Sequence, residues 1–192
     1  MFNLILFGPP GSGKGTQAEK ITKKYNLHHI STGDLFRFEL KNESELGKAV
    51  KRYMDKGELV PDHITIKMLN KKIQSFKDPE GFLLDGFPRN EAQAESLDKL
   101  FQSLGTKVDL LLALDVDEEE IVSRILNRAK TSGRADDMDE DIIRSRYQIY
   151  KEFTQNVFGY YKKQNKAKTV NGIGEIDVVF NRLCCTIDEH KS

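Results

Sequence analysis

The chain reads as an α/β protein built on a parallel sheet, and two observations lead there. Short apolar runs alternate with segments of helical period, the order expected when each strand is followed by a helix that packs back over the sheet. The first run, Phe2–Phe7, passes directly into Gly8-Pro9-Pro10-Gly11-Ser12-Gly13-Lys14-Gly15-Thr16, a glycine-rich turn with a helix opening behind it. The expectation is a three-layer molecule: five parallel strands with helices on both faces.

The expected strands are Phe2–Phe7, His28–Ile30, Phe82–Leu84, Leu110–Leu114 and Thr169–Val170. Helix Lys14–Tyr25 follows the glycine turn. Helices Thr32–Lys41, Glu45–Lys56 and His63–Phe76 fill the long interval before the third strand. Glu91–Leu104 starts after Asn90, a side chain suited to cap a helix N-terminus. Glu118–Ala129 follows Asp115 and Asp117. Asp139–Phe158 and Glu175–Ile187 complete the set, and the tail Asp188–Ser192 reads as disordered. Two stretches break the rhythm. Thr32–Val60 spends two short helices where one connection would serve, and Lys130–Asp137 is polar. Both read as excursions beyond the strand ends, the rim where open α/β sheets bind ligands.

A length of 192 residues suits one domain with insertions. Thirty basic residues balance thirty acidic ones, which argues against a broad nucleic-acid face while leaving room for a local basic cleft. No apolar stretch approaches the roughly 20 residues that span a bilayer. The opening Met1-Phe2-Asn3-Leu4-Ile5 lacks the basic start and cleavage site of a secretory signal, so no membrane partner is expected. Cys184 and Cys185 are adjacent and have no partner sulfur elsewhere. They read as packing on the last helix and point to a reducing, cytoplasmic setting. The charge clusters Lys20 to Lys24 and Glu118 to Glu120 read as solvated helix faces.

The glycine turn carries the chemistry. Such a turn converges backbone N–H groups on one point, the helix N-terminus adds its positive dipole end, and Lys14 adds a charge. Gly8, Gly11, Gly13 and Gly15 are expected to keep Cβ atoms out of the way of a phosphate. An ordinary strand-to-helix turn needs one or two glycines and no lysine at this offset. The residue after the lysine is Gly15 rather than the usual Ser or Thr, so Mg²⁺ is expected on the nucleotide phosphates and water. Asp85 ends the third apolar run and reads as a carboxylate orienting water on that ion.

Arginines recur near strand ends: Arg37 after the second strand, Arg89 after the third, Arg124 and Arg128 on one helical face, Arg134 in the polar excursion and Arg146 one helix further. Guanidinium groups bind phosphate through paired planar hydrogen bonds. Two separated groups of arginines fit two phosphate-bearing ligands and suggest phosphoryl transfer between nucleotides. A phosphate acceptor is already an anion at neutral pH and requires no general base. His28, His29, His63 and His190 accordingly read as structural or exposed.

Four motifs together resemble the nucleoside-monophosphate kinase family, and adenylate kinases of the short-lid type in particular. They are Gly8–Thr16, Ser31-Thr32-Gly33-Asp34-Leu35-Phe36-Arg37, Asp85-Gly86-Phe87-Pro88-Arg89 and Gly133-Arg134-Ala135-Asp136-Asp137. The resemblance covers nearly the whole chain. It implies a P-loop nucleotide kinase fold, the reaction ATP + AMP ⇌ 2 ADP with Mg²⁺, and a monomer. It implies that Gly11, Ser12, Gly13, Lys14, Gly15, Thr16, Arg128 and the backbone at Gly174 hold ATP. It places Thr32, Arg37, Glu58, Leu59, Val60, Gly86, Phe87, Pro88, Arg89 and Gln93 at AMP, with Arg134 and Arg146 beside them. Lys14, Arg89, Arg124, Arg128, Arg134 and Arg146 would act on the transferred group. Residues 1–31, 61–127 and 138–192 would form the core, 32–60 a mobile AMP-binding part and 128–137 a short lid with no zinc. Gly33, Gly57 and Gly133 are candidate flexible points. A UMP/CMP kinase shares most motifs but usually carries Ala at Thr32 and Asn at Gln93. A non-catalytic nucleotide sensor would not need every one of these cations.

Overall fold

The computed structural model describes residues 1–132 and 137–191. In chain order, β1 (Leu4–Phe7) leads to α1 (Lys14–Tyr25), β2 (His28–Ser31), α2 (Thr32–Lys41), α3 (Glu45–Asp55) and α4 (Asp62–Gln74). There follow β3 (Phe82–Asp85), α5 (Glu91–Ser103), β4 (Leu110–Asp115), α6 (Glu118–Ser132) and α7 (Glu140–Ile149). A π-helical turn, Tyr150–Thr154, joins α7 to α8 (Gln155–Lys162), and β5 (Ala167–Asn171) and α9 (Ile176–Lys191) close the order.

The five strands form one parallel sheet in the order β2-β3-β1-β4-β5. This is the expected fold class. The first strand lies centrally because it is apolar on both faces. Ile5 and Phe7 join one core with Leu69 and Ile73 of α4, Leu97 and Phe101 of α5, and Val157 and Tyr161 of α8. Leu4 and Leu6 join the other with Ala18 and Ile21 of α1 and Leu183 and Ile187 of α9. Strands covered on both faces read as unbroken apolar runs, and each such Leu or Ile side chain contributes about 1.5–3 kcal/mol when fully buried.

Two smaller nuclei lie outside these layers. Phe36 of α2, Val50 of α3 and Val60 pack together, and Ile121, Val122 and Ile125 of α6 meet Ile143 of α7.

The structure differs from the sequence reading at several boundaries. Phe2 and Asn3 precede β1 rather than belong to it. Asn3 is buried, its Nδ2 donates to Thr106 Oγ1 and the Lys107 carbonyl, and its Oδ1 accepts from the Phe82 N–H. It clamps three segments instead of continuing the pleat. The helix expected over Asp139–Phe158 is α7 and α8 joined by the π turn, and Gly159 lies inside α8. The inserted residue resets the helical phase between Tyr147, packed on the α6 nucleus, and Val157 and Tyr161, packed under the sheet. The tail is not disordered through Lys191. Helix α9 continues because the Tyr25 hydroxyl donates to Asp188 at 2.7 Å and Lys191 lies over the rings of Phe2 and Tyr25.

Candidate functional site

The ends of β1 and β3 open into a cleft of about 750 Å³ at the point where the strand order reverses. At its floor lies the glycine turn. Gly13 caps α1 with φ at 92°, a left-handed conformation that an L side chain rarely adopts. Gly11 has a packing role as well. A Cβ there would stand 2.7 Å from Ile125 Cγ1, so this glycine lets α6 pack close.

Helix α1 has no side-chain cap and no acidic residue in its first turn. Its N–H groups and dipole therefore face the cleft uncompensated, while α2, α3, α4, α5, α6, α7 and α9 each carry an acid in that turn. Ser12 Oγ is buried at the same turn without a hydrogen-bond partner among the described residues. A built anion site has this form: donors held in place with no carboxylate to occupy them.

Lys14 Nζ donates to the carbonyls of Gly8 and Pro9, both at 2.8 Å. Burial lowers its ammonium to about 8, Asp85 opposes that, and Arg89, Arg146 and Arg128 add to the lowering. The expected cations do converge. Lys14, Arg37, Arg89, Arg124, Arg128 and Arg146 line the cleft, against four acids, Glu19, Asp34, Asp85 and Glu120. Arg134 lies outside the described residues.

Specific acceptors aim these cations. Arg128 donates through Nε and Nη2 to the two oxygens of Asp137, and Arg146 Nη1 donates to Asp137 Oδ1 at 3.1 Å. The Asp137 side chain is fully buried. Burial would raise its carboxyl, but the two guanidinium groups outweigh that and hold it below the ordinary carboxylate range. Arg124 Nε donates to Glu120 Oε1 at 2.7 Å, and its Nη atoms to the Gly172 carbonyl. Arg89 Nε donates to the Gly86 carbonyl at 2.9 Å.

A side pocket of about 60 Å³ adjoins the cleft. Thr32, Arg37, Glu58, Leu59, Val60, Gly86, Arg89, Gln93 and Arg146 all line it, bringing together residues spread over more than a hundred positions. Phe87 and Pro88 line the main cleft instead, as do Gly11, Ser12, Gly13, Gly15, Thr16 and Gly174.

Asp85 ends β3, paired in register with Leu6 of β1 and Ser31 of β2, and is 9% exposed. One carboxylate beside a phosphate-binding turn suits Mg²⁺, which keeps most of its water and binds through one or two carboxylates plus substrate phosphates. His29 Nε2 lies 3.9 Å from Asp85 Oδ2, buried and without a hydrogen-bond partner among the described residues. Those residues contain no group of three His, Cys, Asp or Glu side chains that could hold a metal.

Sequence reading did not single out Asp62, Ile149 or Tyr150, and it read Glu120 as part of a solvated helix face, whereas Glu120 lines the cleft and accepts from Arg124. Ile149 and Tyr150 reach the cleft from the start of the π turn, a feature that no local pattern marks. Asp137 ends the polar excursion, and the structure pairs it with Arg128 and Arg146.

The chain matches known proteins along nearly its whole length. The family model described as adenylate kinase matches residues 6–166. A relative from Flavobacterium johnsoniae, named adenylate kinase, is 54% identical over 188 residues, 98% of this chain and 99% of the relative. One of the same name from Bacteroides thetaiotaomicron is 46% identical over 98% of this chain and the whole relative. Another, from Renibacterium salmoninarum, is 47% identical, with 98% of this chain and 97% of the relative covered. With its cation-lined cleft, its uncapped helix N-terminus and this degree of identity, the chain belongs to the adenylate kinase family.

Proposed function

We propose that the main cleft holds ATP and the AMP phosphate while the side pocket takes the AMP base, for the adenylate kinase reaction ATP + AMP ⇌ 2 ADP. The observation that carries this assignment is the convergence of six cationic side chains on a cleft with an adjoining pocket.

The turn Gly11–Thr16 and the N-terminus of α1 take the ATP phosphates, with Lys14 at the outer ones. Arg128 and the backbone at Gly174 complete the donor site. Thr32, Arg37, Glu58–Val60, Gly86–Arg89 and Gln93 form the acceptor site, and Arg37 and Arg89 meet the AMP phosphate. An oxygen of that phosphate attacks the γ-phosphorus of ATP. The bond from γ-phosphorus to the bridging oxygen breaks, and its electron pair stays on the leaving ADP. No proton moves at the acceptor, so no base is required. Lys14, Arg89, Arg124, Arg128, Arg134 and Arg146 neutralise charge on the transferred oxygens, where one well-placed arginine is worth about 10³–10⁵ in rate. Mg²⁺, when bound, supplies further charge neutralisation on the phosphates, and Asp85 would hold its water shell. No zinc enters this reading.

Residues 32–60 form the acceptor-binding part and 128–137 a short lid. Closing them excludes water as a competing acceptor. The free thiols Cys184 and Cys185 support a reducing, cytoplasmic setting, and the reading is of a monomer. No described helix is long and apolar enough to cross a membrane.

The test is ADP formation from ATP with AMP, UMP or CMP offered side by side. AMP is expected to be strongly preferred, and two adenosines joined by five phosphates should compete with both substrates. Preference for a pyrimidine monophosphate would overturn the AMP assignment, and ATP hydrolysis at a comparable rate without AMP would overturn water exclusion.

A further inference from the structure

The side pocket contains an amide whose two ends are already fixed from behind. Gln93 is 2% exposed and lines the pocket. Its Oε1 accepts from the Arg89 backbone N–H at 2.8 Å, and its Nε2 donates to Asp62 Oδ1 at 2.6 Å. These partners decide which end is which, because a backbone N–H can only donate and a carboxylate can only accept.

Asp62 is itself held. Asn90 Nδ2 donates to both of its oxygens, at 3.0 and 3.1 Å. Asn90 cannot turn over, because its Oδ1 caps α5 by accepting from the Gln93 N–H at 2.8 Å. Asp62 belongs to the first turn of α4, where a negative charge meets the helix dipole favourably. It does not line the pocket.

A primary amide has two N–H donors and two acceptor positions. With one of each used, Gln93 retains one N–H and one C=O lone pair. That pair matches the edge of a 6-aminopurine, where N1 accepts and the amino group donates. A 6-oxopurine presents the reverse, a donor at N1 and an acceptor at O6. To read it, the amide would have to turn over. Turning over sets the amide N–H₂ against the Arg89 N–H and the amide oxygen against the Asp62 carboxylate.

We propose that Asp62 is a positioning residue that locks the Gln93 amide and so makes the acceptor pocket discriminate 6-amino from 6-oxo purines. This rests on the reading of the side pocket as the acceptor base site. Nothing in size separates AMP from IMP, so the amide orientation carries the discrimination. A hydrogen-bonding mismatch of this kind discriminates strongly where a methylene would not.

The test is Asp62→Asn, which keeps the shape. Asn can turn with Gln93, offering N–H to a reversed amide while its own oxygen still serves Asn90. The ratio of kcat/KM for AMP to that for IMP is expected to fall about tenfold with KM for ATP little changed, while the lost carboxylate lowers the melting temperature modestly. Asp62→Glu, with the carboxylate restored, should recover part of the ratio. An unchanged ratio in Asp62→Asn, or equal losses with AMP and IMP, would overturn the lock. Gln93→Leu separates the two claims. If that variant leaves the ratio unchanged, the base-site reading of the pocket fails, and the lock fails with it. If it destroys the ratio while Asp62→Asn does not, only the lock fails.

Discussion

Arg128 holds Asp137 by two parallel hydrogen bonds, Nε to Oδ2 at 2.7 Å and Nη2 to Oδ1 at 2.8 Å. Fork-on-fork pairing of this kind sets the plane of a guanidinium group as well as its position. Arg146 shares the same carboxylate, so one acid aims two of the cleft's cations. Asp137→Asn is expected to lower turnover at least tenfold while raising KM for both nucleotides modestly. It should lower stability by about 1.5–3 kcal/mol, the usual range for a hydrogen bond to a charged group. Steady-state kinetics and urea unfolding of the pure variant check both.

The same carboxylate gives a pH dependence of definite sign. Its folded pKa lies below its unfolded value, so the unfolded state binds more protons in that interval and stability rises with pH there. The contribution is complete above the unfolded value of about 4 and is lost as pH falls through the folded value. The stability deficit of Asp137→Asn against the parent should therefore be full at pH 7 and shrink below about pH 4. A deficit that stays constant down to pH 2 would remove the electrostatic account.

Lys14 acts in the same sense at higher pH. Its ammonium is lowered from 10.5 to about 8, so between those values the folded protein has released a proton that the unfolded chain retains, and stability from this group rises with pH. Phosphate arriving beside it restores the charge. At pH 8.5, ATP binding should take up a fraction of a proton, read by calorimetry in buffers of different ionisation heat. Lys14→Met should abolish the uptake and turn over very slowly while remaining folded.

Thr32 lies 2% exposed at the start of α2, and its hydroxyl donates to the Gly86 carbonyl at 2.9 Å. That bond ties α2 to the loop after β3 across the side pocket. Thr32→Val should cost about 1 kcal/mol of stability. It should raise KM for AMP several-fold with KM for ATP unchanged. A rise confined to ATP would contradict the placement of the acceptor.

The parts of this molecule legible in the sequence are those written in adjacent residues. Leu110 to Leu114 is a strand because it is apolar on both faces, and the turn before Lys14 is recognisable from its glycines alone. Arg37 and Arg89 could be placed on the cleft because each follows a strand end, and Arg124 and Arg128 because they share a helical face. What escaped depends on residues meeting from afar. Asp62 meets Gln93 across 31 positions, and nothing around Asp62 distinguishes it from any acid in a first helical turn. The π turn at Tyr150–Thr154 leaves no mark either, since its residues are ordinary helix formers for this surface. Helix α9 outran its expected end because Asp188 and Lys191 find Tyr25, over 160 residues earlier.

The nucleus of Phe36, Val50 and Val60 is far smaller than the two cores against the sheet. Regions with few buried apolar contacts open at lower free energy than the molecule as a whole. Amide protons of α2 and α3 should therefore exchange with solvent through partial openings, well before those of β1 and β4. The side of the cleft that α2 contributes can thus loosen and re-form many times within the lifetime of a single folded sheet.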